Sequence, residues 1–397
     1  MERHCFRVAV AYMCVTFLIG VLLRMQFVFP LEGFSFGYVK HAHSHVGFLG
    51  WVFNGFFALA FRLFVLPEDR SWCWKMFLFC QLGVLGMLVA FPIQGYALWS
   101  IVFSTLHLLC SVLFVIRLVR RNRATRVAGF ALKLGAWFLL ISSVGPFALG
   151  PIMVSELRDT IWRDLGVYYY LHFQYNGWFV FFLIAAGLQV VRCQISNELE
   201  ASVKRYLVLL AVAILLTYAQ SALWVDGVEW VRSVACVGGA LQLVAVVRLL
   251  WLVGRSEAWF SSRLASGLGR AAVGLFVLKV VLQFVVIFPS MEVLGTQHFM
   301  VIAFLHLVFL GVVTPLLWAW GIELGFLKEG IGLRIGIALF IVGAVISQLA
   351  LVYLPLPGGL GWQPIPYLFD YMFYASVAML VGGVAIGSRF GSTIKSD

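Results

Sequence analysis

The sequence predicts an all-α integral membrane protein, with twelve transmembrane helices in one bundle. Three observations carry that expectation. The 397 residues are 62% hydrophobic and only 11% charged, where a soluble domain carries roughly a quarter charged residues. Twelve apolar runs each approach the ~20 residues that cross a bilayer. No soluble-type stretch or long linker separates them, so residues 1–397 read as a single membrane-embedded helical domain. Helices are the open-chain solution, because backbone groups in lipid must pair within their own segment.

The runs lie near 7–29, 42–66, 74–95, 98–119, 127–154, 165–191, 206–224, 230–253, 271–289, 295–320, 333–354 and 367–388. The first follows MERHCFR and lacks a small-residue cleavage site, so it reads as a retained helix rather than a signal peptide. Basic residues set the orientation. One set of connections holds Arg3 and Arg7, Arg70 and Lys75, the run from Arg117 to Arg126, then Arg192, Lys204 and Arg205. The same set continues with Arg255, Arg263, Arg270, Lys328, Arg334, Arg389 and Lys395, whereas the alternate connections hold Lys40, Arg158, Arg163 and Arg232. The positive-inside bias therefore predicts both termini in the cytoplasm, with a bacterial inner membrane as the expected location. The net charge of +11 is scattered between apolar runs and expresses this bias rather than a nucleic-acid surface. Seven cysteines without Cys-x-x-Cys spacing indicate neither a disulfide frame nor a zinc site.

The stretch YVKHAHSHVGFLGW places His41, His43 and His45 where the second run begins. At ~100° per residue, His41 and His45 share a helix face and His43 points roughly the opposite way. The triplet offers a pair or a single ligand rather than one three-ligand site; alternatively it lies in the wet interface and binds nothing. With the predicted orientation, His41, His43, His45, His107, His172, His298 and His306 all fall on segments 2, 4, 6 and 10. Most lie within about 12 residues of the outer ends, in the outer half of the membrane at 1.5 Å per residue. Neutral imidazole ligates iron, copper and zinc, so one layer of histidines suggests buried cofactors; helix-packing histidines are the alternative.

Lys279 sits mid-way along segment 9 with Gln283 one turn on. A charge at that depth costs about 2.5–3.5 kcal/mol on insertion scales, so it is expected to face the protein interior. A propionate, a proton path and a carbonyl are its candidate partners. Arg24 and Arg62 lie nearer helix ends and are expected to snorkel. Gly47, Gly50, Gly55, Gly83 and Gly86 suit close helix packing.

With RMQFVFP closing segment 1, YVKHAHSH opening segment 2, YYYLHFQYNGWF in segment 6 and GTQHFMVIAFLHLVFLG in segment 10, the chain resembles the heme–copper oxidase superfamily. The likeness is to the catalytic subunit (subunit I) of nitric oxide reductases and cbb3-type oxidases. It spans nearly all twelve segments with weak identity. The resemblance implies that His43 and His306 are axial ligands of one low-spin heme b, and that His172 matches a ligand of the non-heme metal. The family's histidine for the high-spin heme is Phe304 here, and its histidine pair on segment 7 is replaced by LLTYAQSALW. A degenerate binuclear site is therefore expected.

These residues imply a heme-binding membrane redox protein for electron transfer, or for redox or nitric oxide sensing, through a bis-histidine heme. One alternative is an active oxygen or nitric oxide reductase, its copper or non-heme iron held by His172 with His41, His45 and His298. Another is a heme- and copper-binding nitric-oxide-response protein or metal transporter. Whether the chain is an enzyme stays open; if it is, the resemblance implies a cytochrome c oxidase-like or nitric oxide reductase-like oxidoreductase. The expected surroundings are the lipid bilayer and a small redox subunit, cytochrome c or quinol as electron donor, because no Cys-x-x-Cys-His heme-attachment motif is present.

Overall fold

The computed structural model describes residues 1–190, 197–225, 229–254, 259–289, 291, 297–357 and 361–390. Cys193 and three residues of the orientation argument, Arg192, Arg255 and Lys395, lie outside the described residues. The protein is an all-α polytopic membrane bundle. Its long helices are α1 (Glu2–Met25), α2 (Phe36–Leu63), α3 (Pro67–Gln94), α4 (Leu98–Arg120), α5 (Arg126–Met153) and α6 (Ile161–Val190). They continue with α7 (Asn197–Thr217), α8 (Glu229–Val253), α9 (Arg263–Val285), α10 (His298–Glu323), α11 (Ile331–Tyr353) and α12 (Leu368–Gly387). Eleven are long and apolar enough to cross a membrane. The other, α7, spends its first turns on Glu198, Glu200, Lys204 and Arg205.

Several helices begin before the apolar runs that announce them. Helix α2 starts at Phe36 rather than 42, and α9 at Arg263 rather than 271. Hydropathy marks the stretch that lipid demands, whereas backbone hydrogen bonding carries a helix on through polar turns at its ends. His41, His43 and His45 are consequently all inside α2.

Packing divides the chain into two compact units. The first comprises Met1–Phe114, Phe260–Val273 and His298–Asp397; the second comprises Val115–Trp259 and Gly274–Gln297. In the first unit α1 and α2 run antiparallel at close quarters. A methyl added to Gly47 would lie 3.0 Å from Thr16 Cγ2, and one on Gly20 would lie 3.2 Å from His43 Cε1. Helices α2 and α10 are direct neighbours, as the sequence led one to expect. Trp51 Nε1 donates to Thr314 Oγ1 at 2.8 Å, and the Phe48 and Phe309 rings lie 5.1 Å apart. Asn54 and Gln81 exchange amide hydrogen bonds of 3.0 and 2.9 Å between α2 and α3. Such reciprocal pairing lets two amides be buried in an apolar layer.

Among the described residues three helices carry a π-helical turn: Val46–Val52 in α2, Phe173–Trp178 in α6 and Leu307–Val313 in α10. Each opens on the residue after a histidine, namely His45, His172 and His306. A π turn costs regular hydrogen-bond geometry and is frequently found at functional sites. Nothing in hydrophobic periodicity marks these turns.

Candidate functional site

The first unit separates the helix-2 histidines by face, as their spacing predicts. His41 and His45 turn toward the end of α3, where their ring centroids lie 4.6 and 5.8 Å from that of Tyr96. Both nitrogens of His45 are in use. Its Nδ1 lies 2.8 Å from the His41 carbonyl oxygen, and its Nε2 lies 3.3 Å from the Tyr96 hydroxyl. His43 points the other way, onto α1. Its Nδ1 donates to the Thr16 carbonyl oxygen at 3.0 Å. A carbonyl only accepts, so the proton is held on Nδ1 and Nε2 carries the lone pair, the form in which histidine ligates metals. This carbonyl orients the ring, whereas the neighbouring Ser44 Oγ donates to the His41 carbonyl.

His306 stands at the matching level of α10. Trp51 and Thr314, which are hydrogen-bonded, each lie eight residues past their histidine, and α2 and α10 run parallel. His306 Nδ1 is buried without any hydrogen-bond partner, a condition that costs about 1–3 kcal/mol for a neutral group. The electrostatic neighbours of this ring are Arg24 and His43. Arg24 does not snorkel as expected. It turns inward, and its described hydrogen-bond partner is Met372 Sδ at 3.8 Å, a weak acceptor for a guanidinium. Two imidazoles and an arginine that has no carboxylate partner among the described residues therefore gather among α1, α2, α10 and α12.

In the second unit the π turn of α6 builds a different arrangement. His172, Asn176 and Lys279 are 3%, 1% and 2% exposed. His172 Nε2 donates to the Ile214 carbonyl oxygen of α7 at 2.9 Å, and its Nδ1 accepts from Asn176 Nδ2 at 3.1 Å. Asn176 Oδ1 in turn accepts from Lys279 Nζ, which also donates to Gln283 Oε1 at 2.6 Å. The rings of Tyr175 and Phe276 lie 5.7 and 5.9 Å from the same nitrogen. Of the partners considered for Lys279, the structure supplies side-chain amide oxygens.

No family model matches the sequence, and no curated protein matches it. Structure finds what sequence does not. A chain described as a cryo-EM structure of a heme–copper terminal oxidase dimer superposes with a TM-score of 0.67. The match covers 98% of this chain and 83% of that one, at 11% identity. The chain has the heme–copper oxidase fold. At that identity the likeness carries architecture alone, so the groups associated with the fold must be tested against the residues present. A heme fits the first unit. Among the described residues His43 has no partner on Nε2 and His306 has a buried, orphaned Nδ1, Gly20 leaves room against the His43 ring, and Arg24 is an electrostatic neighbour of both.

A non-heme metal does not fit the second unit. Both nitrogens of His172 are hydrogen-bonded, and among the described residues no three His, Cys, Asp or Glu side chains gather as a metal site. His41, His45 and His298 thus join neither one another nor His172 in a donor set. His45 is saturated by hydrogen bonds, and His298 is exposed in the first turn of α10 beside Phe299. His107 escaped emphasis in the sequence. It is buried beneath the Phe53 ring, with Nδ1 3.2 Å from Ser111 Oγ and Nε2 unpartnered. No sequence signal separates it from a packing histidine.

Proposed function

We propose that this protein is a heme-binding membrane redox protein in which His43 and His306 hold one low-spin heme b between α2 and α10. The single observation that carries the reading is the pairing of these two imidazoles at one level of packed parallel helices. Each retains a nitrogen without a protein hydrogen bond, and Arg24 lies beside both. When bound, a bis-histidine heme passes single electrons and, with both axial positions filled, is a poor site for substrate.

The protein's own residues perform three tasks in this scheme. The Thr16 carbonyl fixes the His43 tautomer and ring direction, which raises the basicity of the ligating nitrogen. The Trp51–Thr314 bond holds α2 against α10 and so keeps the two histidines level. Arg24 presents a cation suited to an acidic substituent of the porphyrin. Together they support electron transfer, or redox or nitric oxide sensing. Electrons would come from quinol, cytochrome c or a small redox subunit in or on the bilayer. Both termini would lie in the cytoplasm.

Purified protein examined by pyridine hemochrome and by reduced-minus-oxidised spectra tests the reading. The expected result is one b-type, six-coordinate low-spin heme that carbon monoxide does not perturb. Heme-free protein, or a high-spin heme that binds carbon monoxide, would overturn it. Cysteine labelling of the 117–126 connection from the cytoplasmic side tests the orientation, and labelling from outside would reverse it.

A further inference from the structure

We infer that the polar core of the second unit is a metal-free site in which Lys279, rather than a metal ion, organises His172. The argument starts from donor and acceptor roles. The Ile214 carbonyl oxygen can only accept, so His172 carries its proton on Nε2. His172 Nδ1 is then an acceptor and must meet an N–H, which fixes the Asn176 amide with Nδ2 toward the ring and Oδ1 away from it. That outward oxygen meets Lys279 Nζ, which can only donate, and Gln283 Oε1 takes a second N–H. Every assignment follows from its neighbour, and the chain closes without a metal.

A metal on Nε2 would have to displace the Ile214 carbonyl. One on Nδ1 would displace the Asn176 amide and strand Asn176 between a metal and an amine. Among the described residues no group of three His, Cys, Asp or Glu side chains converges to offset either loss. Lys279 lies 103 positions from Asn176 in sequence, so α9 is tied to α6, and α6 to α7, by this one relay. The role is one of positioning. Lys279 holds Asn176, and Asn176 holds the His172 ring. Its neighbours on the relay are amides, an imidazole and the aromatic faces of Tyr175 and Phe276.

The inference stands independently of the heme reading, and the test keeps them apart. Detergent-purified wild-type protein is incubated with Cu(II) or Fe(II) salts, passed through gel filtration, and analysed for total copper, total iron and heme. Iron equal to heme, with no retained copper, is the expected result, and it remains expected if no heme is present. A second metal per chain that His172→Ala removes, with heme retained, would overturn the inference.

Thermal unfolding of Lys279→Met, His172→Phe and the double variant supplies a second readout. These two side chains do not hydrogen-bond each other, yet a shared relay makes their losses non-additive. The double variant is therefore expected to lose less melting temperature than the two singles combined. Additive losses would show that Lys279 does not act on His172. Should the variants fail to accumulate, the wild-type metal analysis still decides the question.

Discussion

Two histidines of this protein, His306 and His172, sit alike in sequence and unlike in chemistry. Each closes an α-helical stretch and is followed at once by a π turn. His306 Nδ1 has no partner among the described residues, whereas both nitrogens of His172 are spent on Ile214 and Asn176. The difference teaches that position on a helix makes an imidazole a candidate ligand, and that its hydrogen bonds decide whether it is available. In the first unit each ring keeps a nitrogen without a partner among the described residues; in the second a backbone carbonyl and an amide take both nitrogens of His172.

The largest expected effect comes from removing either ring of the first unit. His43→Ala and His306→Ala should each abolish the bis-histidine spectrum, while His41→Ala, whose ring packs on Phe91 and Tyr96, should leave it in place. Loss of heme in His41→Ala with retention in His43→Ala would move the ligand by two residues and break the comparison at its base.

Next in size is the effect on stability in the second unit. His172→Ala strands the Asn176 Nδ2–H, at about 1–3 kcal/mol, while the Ile214 carbonyl keeps the Thr217 hydroxyl at 3.2 Å. Lower resistance to denaturant with an unaltered heme spectrum is expected. A changed spectrum would link the two histidines more closely than their hydrogen bonds suggest. A third substitution, Trp51→Phe, deletes the 2.8 Å bond to Thr314 and leaves a hydroxyl to repair, for about 1 kcal/mol. Broadening of the low-spin bands would sharpen the case that this bond levels the two ligands.

The smallest effect is expected at Gly20. A methyl there would stand 3.2 Å from His43 Cε1, so Gly20→Ala should tilt the ring and shift the heme midpoint potential without expelling the heme. An unchanged potential would mean that the ring has more room than its contact with α1 implies.

Much of this architecture was legible in the amino acids. The sequence expects segment 10 at 295–320 and the helix runs His298–Glu323; the larger displacements, at the starts of α7 and α9, fall at polar ends that hydropathy does not weigh. The opposite facing of His43 from His41 and His45 was equally legible, because it follows from helical periodicity alone. Arg24 was not. Its distance from the helix end favours snorkelling, whereas in the fold it lies against Met372, 348 positions away in sequence.

By itself, then, the sequence determined that the chain crosses the membrane as helices, roughly where each one runs, and which histidines share a face. Those properties depend on local composition and period, since lipid forces each backbone segment to satisfy itself. Tertiary structure alone decided which of those histidines are free. The partners that settle it are the carbonyl of Thr16, 27 positions from His43, the carbonyl of Ile214, 42 from His172, and the amine of Lys279, 103 from Asn176. Backbone carbonyls are present at every residue and carry no sequence mark, so only folding determines which imidazole each one meets.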